Sequence, residues 1–306
     1  MKKSDYILFF RSDPNRSHLR KPVDGSTTID FTSIRPLLGF ERWMFLIRNR
    51  IGKIISPWRN LPIYGFHAYR LDSARFVKFG ASVRPTEAQA MDYVAKHTKI
   101  PVPRLLDVFK LNGTVNIVQE FIDCPVLQDV WPQLCDEDRL GCMKELKGYL
   151  DQLRALLPPD PDVVQAIDGS GCQDLRLKSD GVWGPFATHH EFQVYIGYEF
   201  IRRAPEIFQG ASERLAKIQG RMWRTVFSHG DLGPHNILWN VKKKRIAAII
   251  DWECSGWLPE YWDYCRAGTF AKLGCPSWWD LFNQVMDTYP DEFSIEQLID
   301  MHFERY

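Results

Sequence analysis

His229-Gly-Asp231-Leu-Gly-Pro-His235-Asn236, with Asp251 following in Ile249-Ile-Asp251-Trp-Glu253, is the stretch on which the reading of this chain turns. Asp231 and Asn236 stand five apart, and Asp251 lies 15 residues beyond Asn236. Between them, two short apolar runs (Ile237 to Asn240, Ile246 to Ile250) flank Val241-Lys-Lys-Lys-Arg245. A basic, solvated turn between short strands makes a hairpin, and a hairpin sets Asn236 beside Asp251. A carboxylate, an amide and a second carboxylate gathered this way are the hard oxygen donors that Mg²⁺ takes while it bridges phosphates. Phosphoryl transfer needs such parts: a carboxylate for the acceptor proton and a cation against the phosphate charge. On that reading Asp231 is the candidate base, and Asn236 and Asp251 are the candidate metal ligands. His229 belongs to the same catalytic loop, as a brace through hydrogen bonds. Asp, Gly and Asn also form turns by chance, so the rest of the chain has to agree.

Outward from that motif, Ala74 to Phe79 reads as a strand ending at Gly80, with Lys78 among apolar residues. A cation inside an apolar strand is costly unless paired. Glu87, nine residues on, is the expected partner, in a helix from Glu87 to about His97 capped by Thr86. The pair would hold the ammonium on the α- and β-phosphates of a nucleotide; the competing reading is a strand lysine facing solvent. Leu105 to Leu111 and Val115 to Ile122 read as two further strands with Asn112-Gly113 as their turn. Glu120, Phe121 and Ile122 close the last of them, where the backbone of a two-lobed kinase reads adenine.

Beyond Asp123 the pattern turns helical. Arg139 to Leu157 carries Leu140, Met143, Leu146, Leu150, Leu153 and Leu157 at helical steps, stopped by Pro158-Pro159. Helices are also expected over 191–203, 211–223, 278–289 and 295–303, with a polar loop over 169–185. The fold class is therefore α+β, with a small antiparallel-sheet N-lobe (61–122) and a mostly helical C-lobe (123–306). Residues 1–60 form an N-terminal extension, loose over 11–36 and then helical from Phe40 to Trp58. Trp43, Ile47, Ile51, Ile54 and Ile55 share one stripe of that helix, with Arg42, Arg48, Arg50 and Lys53 among them. Such a helix either lies on a membrane surface or packs on the next domain, and packing is the expectation here.

Composition sets outer bounds. The 306 residues are 45% hydrophobic and 25% charged with a net charge of +1, which gives no global case for nucleic acid as a partner. The seven cysteines are odd in number and none forms a Cys-x-x-Cys pair, which argues against zinc or a disulfide framework and for a reducing compartment. No apolar run reaches the ~18 residues of a membrane span, and Met1 to Arg11 lacks a signal-peptide pattern. A cytoplasmic enzyme is the expectation.

With these residues assembled, the chain resembles the aminoglycoside phosphotransferase and choline-kinase-like superfamily, most of all its large fungal-type branch. The likeness is carried by Val77-Lys78-Phe-Gly80, Glu87-Ala-Gln-Ala-Met91, Ile100-Pro-Val-Pro-Arg104, Ile117-Val-Gln-Glu-Phe121, the 229–238 loop and Ile250-Asp-Trp-Glu253. Gly184-Pro-Phe186 and Gly256-Trp-Leu-Pro-Glu-Tyr-Trp262 add to it, so that it spans about 61–270. The resemblance implies a protein-kinase-like bilobal fold with ATP and Mg²⁺ in the cleft, and a small-molecule hydroxyl as acceptor. It implies Lys78 and Glu87 as the phosphate-binding pair, Asp231 as base, and Asn236 and Asp251 on the metal. Two departures stand out: no Gly-x-Gly-x-x-Gly precedes Lys78, where the chain has Ile63-Tyr-Gly65-Phe-His-Ala-Tyr69, and His235 replaces the family's usual Arg or Asn.

Two rival readings remain. A protein Ser/Thr kinase would need an activation loop, yet only nine positions separate Asp251 from Glu260. A catalytically silent nucleotide-binding or scaffold protein would explain the missing glycine loop but not the intact Lys78, Asp231, Asn236 and Asp251. For the acceptor, Trp183, Phe186, Glu253, Trp257, Glu260, Tyr261, Trp262 and Asp263 form either a cage for a cationic or apolar metabolite or ordinary core.

Overall fold

The computed structural model describes residues 29–55, 66–174, 181–204, 206–208 and 210–302. Expectations placed on 1–28, 56–65, 175–180 and 303–306 lie outside the described residues, including the end of the first helix at Trp58 and the Ile63-Tyr-Gly65 segment. The chain is already packed where the described part begins. Ile29, Phe31 and Ile34 lie against the buried Val83, Ala88, Val108 and Ile117. Pro36 bridges Lys110, and Leu37 is buried among Tyr69, Val77 and Phe109. The described end of the 11–36 stretch, read from its turn formers as loose, is held because apolar side chains over 29–37 repeat every two or three residues and find both faces of a sheet.

Helix α1 (Gly39–Ile55) comes next. Its inward side is Phe45, whose ring meets Phe109 edge-on at 5.0 Å. Trp43, expected on the packed stripe, points outward instead and is 56% exposed. The sheet itself is β1 (Phe66–Arg70), β2 (Arg75–Gly80), β3 (Leu105–Leu111) and β4 (Thr114–Glu120), antiparallel in the order β1-β2-β4-β3, with α2 (Pro85–His97) between β2 and β3 in sequence. The β3–β4 turn places Asn112 at φ 52° and Gly113 at φ 82°, as a two-residue hairpin demands. Alternation along β2 sends Val77 to the α1 side and Lys78 to the α2 side, so both are buried. Helix α2 begins one residue before the expected cap: Pro85 opens it, Arg84 is the cap residue without a side-chain bond, and Thr86 sits inside. Proline is favoured in a first turn because its missing N–H would go unbonded there anyway.

The large lobe begins with a short α3 (Leu127–Val130) and α4 (Asp136–Arg154). Helix α4 starts and ends three residues earlier than its leucine pattern indicated. Asp136, Glu137 and Asp138 fill its first turn, where acids suit the helix dipole, and Leu157 is left exposed beyond its end. Two-residue strands β5 (Cys172–Gln173) and β6 (Val182–Trp183) pair with each other further on. The helix expected over 191–203 is two, α5 (His189–Ile196) and α6 (Tyr198–Arg203), because Gly197 at φ 112° ends the first. Helix α7 (Ala211–Ile218) leads to β7 (Thr225–Ser228), then the hairpin β8 (Ile237–Asn240) and β9 (Arg245–Ile249), and β10 (Gly256–Pro259), which pairs with β7. Helices α8 (Trp262–Gly274), α9 (Pro276–Val285) and α10 (Pro290–His302) complete the lobe. Helix α8 was not foreseen. Residues 261–268 are all buried, so it has no polar face and no 3.6-residue signal. The architecture is the α+β bilobal one, a small antiparallel sheet with its helix beside a mostly helical lobe.

Candidate active site

Strand β7 is buried throughout and delivers His229 into the core. The imidazole Nε2 lies 3.0 Å from the carbonyl of Ile250, and the Asp231 N–H donates to Nδ1 at 3.3 Å. That pattern is the neutral tautomer with the proton on Nε2. Burial pushes the His229 pKa below its usual value, against the pull of Asp263 and Asp231. Gly230, at φ 78°, passes so close to Cys254 that any Cβ would run into that residue's carbonyl. From below, the Asp263 carboxylate accepts the backbone N–H groups of His229 at 3.2 Å and Gly230 at 2.8 Å. Burial raises the Asp263 carboxyl above its usual range, while His229 and those two N–H groups oppose the rise.

The loop so held presents Asp231, half-buried, with the Asn236 amide donating to its carboxylate at 3.1 Å and to its backbone carbonyl at 2.9 Å. His235 Nε2 stands 3.5 Å from the same carboxylate. Asn236 enters β8, where Ile237 pairs with Ile249, and the Ile250 N–H donates to the Asn236 carbonyl at 2.9 Å. The hairpin therefore does what its sequence indicated, and Asp251 emerges next to Asn236. Asp251 adopts φ 66° and ψ 64°, a left-handed backbone that is uncommon for a residue with a Cβ and is concentrated at functional sites.

Lys78 meets this group from the small lobe. Its Nζ lies 2.7 Å from Asp251 Oδ1, 2.6 Å from Glu253 Oε2 and 3.2 Å from Glu87 Oε1. One ammonium, 6% exposed, thus faces three carboxylates. Burial works against its charge, but Asp251, Glu253 and Glu87 prevail and hold the pKa well above the ordinary lysine range. Glu253 is pushed up to about 8 by burial, with Lys78 opposing and Asp251 and Glu87 adding to the rise. Glu87 is likewise raised by burial, with Lys78 pulling the other way.

Where the lobes join, Phe76, Pro103, Gln119, Glu120, Phe121, Ile122, Leu238 and Ile250 line a pocket. Ile250 is covalently next to Asp251, so one wall of this pocket adjoins the Lys78 cluster. The Glu120 amide donates to Arg104 and the Phe121 amide to Ala74, and the Arg70 guanidinium covers the Phe121 ring at 4.1 Å.

Lys78, Glu87 and Asp251 are thus in one cluster, Asp231 and Asn236 in direct contact beside it, and Glu120, Phe121 and Ile122 on the adjoining pocket. Three features escaped the sequence reading. Glu253 binds Lys78, Asp263 props the loop, and the pocket draws Phe76, Pro103 and Leu238 from separate segments. The proposed aromatic cage is also redistributed. Trp183, Trp257, Tyr261 and Trp262 are core residues, Glu260 pairs with Arg224 at 2.9 Å, and Phe186 alone of the rings is half-buried, 5.1 Å from Tyr195.

A two-lobed kinase fold with a lysine, a carboxylate pair and an Asp-Asn loop at the junction defines the class. The phosphotransferase enzyme family model (APH) matches residues 74–291, and the chain belongs to that family. No curated protein matches the chain. Among solved structures, similar ones include an aminoglycoside-3'-phosphotransferase of type VIII (17% identity, 81% of this chain and 93% of that chain, TM-score 0.51). Another is aminoglycoside phosphotransferase APH(3'')-Id from Streptomyces rimosus in complex with ADP and streptomycin (15% identity, 85% and 96%, TM-score 0.50). A third is the streptomycin-ATP-APH(2'')-IIa ternary complex (11% identity, 86% and 92%, TM-score 0.54). At these identities the likeness is one of fold. Among the described residues no helix is long and apolar enough to cross a membrane.

Proposed function

We propose that the chain transfers the γ-phosphoryl group of ATP to a hydroxyl of a small molecule, with Mg²⁺ as cofactor. The reading rests on one observation: the Asp231–Asn236 pair and the Lys78–Asp251 pair meet at the end of one hairpin. Asn236 and Asp251 are the residues that would hold the metal. Their donors are an amide oxygen and a carboxylate, the hard set Mg²⁺ prefers. Among the described residues no three His, Cys, Asp or Glu side chains are arranged to hold an ion by themselves, which suits an ion that draws its other ligands from phosphate and water. When bound, it would supply positive charge against the phosphates.

The chain's own groups do the rest. Lys78 exchanges a carboxylate partner for the α- and β-phosphates, with Glu87 keeping the ammonium aimed. The Ile122 amide is the donor assigned to the base, since those of Glu120 and Phe121 are bonded to Arg104 and Ala74. Asp231 orients the acceptor hydroxyl and takes its proton as the oxygen bonds to phosphorus and the bond to the ADP oxygen breaks, a task worth about 10²–10⁴ in rate. Asn236 holds the Asp231 carboxylate in place. His229, buried with both nitrogens engaged, positions the loop and does not itself exchange a proton.

The segment after Asp251 favours a small acceptor over a peptide. Residues 252–259 are a single short turn and then β10, which is buried and paired to β7, so no loop is left to dock a chain. The ADP and ATP complexes among the fold relatives support the nucleotide. The test is to incubate the protein with MgATP and pooled hydroxyl metabolites and to look by mass spectrometry for one added phosphate. Stabilisation by MgATP with no acceptor modified would support the silent nucleotide-binding alternative instead.

A further inference from the structure

Residues 1–60 hold 12 Lys and Arg against five Asp and Glu, although the whole chain is only +1. Helix α1 is the helical part of that basic segment among the described residues, and it lies outside the family match. Its inner side is settled by Phe45 on Phe109. Arg35 ties its start down, reaching Glu41 at 2.7 Å and Asp107 at 2.8 Å. Glu41 is the one acid in the helix, so this contact neutralises it.

The outer side is different. Phe40 is 73% exposed, Trp43 56% and Leu46 41%, and the Phe40 and Trp43 rings stack at 5.8 Å. Helical spacing puts Trp43, Leu46 and Arg50 on one line, with Phe40 and Ile47 to one side and Arg42 to the other. Arg42, Arg48 and Arg50 are exposed. The Arg42 guanidinium donates to the neutral amide of Asn112 at 3.1 Å. The result is a strip that is apolar and aromatic along the middle, with Arg50 in line and Arg42 at one border, while Arg48 falls on the other side of the helix, in the groove it lines with Glu41 and Asp107.

We infer that α1 docks the protein on an anionic lipid surface, with Phe40, Trp43 and Leu46 entering the headgroup boundary and Arg42 and Arg50 among the lipid phosphates and carboxylates. An interfacial helix has this make-up: large exposed apolar rings, a basic border and tryptophan at the polar–apolar boundary. Charge selects this partner over a second copy of the chain, because a two-fold contact through α1 would bring the same arginines face to face.

The test is co-sedimentation of the full chain with phosphatidylcholine vesicles, and with vesicles that also contain phosphatidylserine, at low and high salt. The expected result is binding to the anionic vesicles only, weakened by salt. Arg42→Gln/Arg50→Gln should lower the partition at least about tenfold, and Phe40→Ser/Trp43→Ser should abolish it. Both variants should keep the parent unfolding midpoint, because none of the four side chains is buried. No anionic binding, equal binding to both vesicle types, or binding indifferent to the arginine pair would overturn the inference. So would a dimer in light scattering that Phe40→Ser/Trp43→Ser converts to monomer, since the face would then belong to a second copy.

Discussion

The Nζ of Lys78 lies 2.7 Å from Oδ1 of Asp251, 173 positions further along the chain, and this contact ties the small lobe to the large one at the site. Removing the ammonium would leave Glu87, Asp251 and Glu253 facing one another without a cation. Breaking a buried charge group from one side costs about 3–5 kcal/mol, and the cost shrinks where the carboxyls can take up protons. Lys78→Met should therefore lower stability more at about pH 8 than at about pH 5, besides ending phosphoryl transfer. Denaturant titrations at the two pH values check this. An equal loss at both would mean that the three carboxylates do not share the ammonium.

His229 carries a pH dependence of its own. Burial depresses its folded pKa below the usual 6.5, so the unfolded chain binds a proton first as pH falls. Its contribution to stability is present above about pH 6.5 and is lost as pH drops toward the folded pKa, by at most ~1.4 kcal/mol per pH unit. His229→Gln keeps an amide donor for the Ile250 carbonyl and removes the titration. The stability of the parent relative to this variant should fall on acidification below neutrality. A constant difference between the two would show that the imidazole is not held neutral.

Two glycines separate a required backbone from a replaceable one. Gly230 is at φ 78° and has no room for a Cβ beside the Cys254 carbonyl. Gly148 sits inside α4 with nothing within 4 Å of an added Cβ. Gly230→Ala should cost more than ~2 kcal/mol, from strain and the forced shift of the loop, and should reduce turnover through misplacement of Asp231. Gly148→Ala should be neutral or stabilise by up to ~1 kcal/mol, the helix propensity difference. Calorimetric midpoints of the two variants decide. Gly230→Ala at parental stability would contradict the close approach to Cys254.

What the sequence made legible was short-range. Asp231 and Asn236 share one loop, a single hairpin brings Asp251 back to Asn236, and Lys78 reaches Glu87 over one strand–helix connection. Spacing alone therefore foretold these contacts, as Asn112-Gly113 foretold its turn. What stayed dark depends on distant partners or lacks periodicity. Asp263 acts on the backbone N–H groups of residues 33 and 34 positions earlier, and nothing in its neighbourhood marks it as a prop. Helix α8 is buried on all sides over residues 262–268, so the polar face that would have announced it is missing. The stripe of α1 was misread because the helix carries apolar residues on opposite sides, with Trp43 and Phe45 two positions and so about half a turn apart. Packing, rather than pattern, decided that the phenylalanine turns inward.

Asp231 and Asp251 are joined through Asn236, whose amide donates to the Asp231 carboxylate and whose carbonyl accepts from Ile250, the neighbour of Asp251, and substitution should separate their roles. Asp231→Asn keeps the shape and a hydrogen-bonding group next to Asn236 but removes the proton acceptor. Turnover should fall by about 10²-fold or more, while MgATP still raises the unfolding midpoint as it does in the parent. Asp251→Ala removes a proposed metal ligand and a Lys78 partner at once. Nucleotide stabilisation should then shrink and lose its dependence on added Mg²⁺. Thermal unfolding across a Mg²⁺ titration at fixed ATP, with turnover measured alongside, distinguishes the two. If Asp251→Ala kept the parental Mg²⁺ response, the metal would have to be held elsewhere. If Asp231→Asn turned over normally, another group would have to take the acceptor proton; His235, 3.5 Å from that carboxylate, is the nearest titratable side chain to test next.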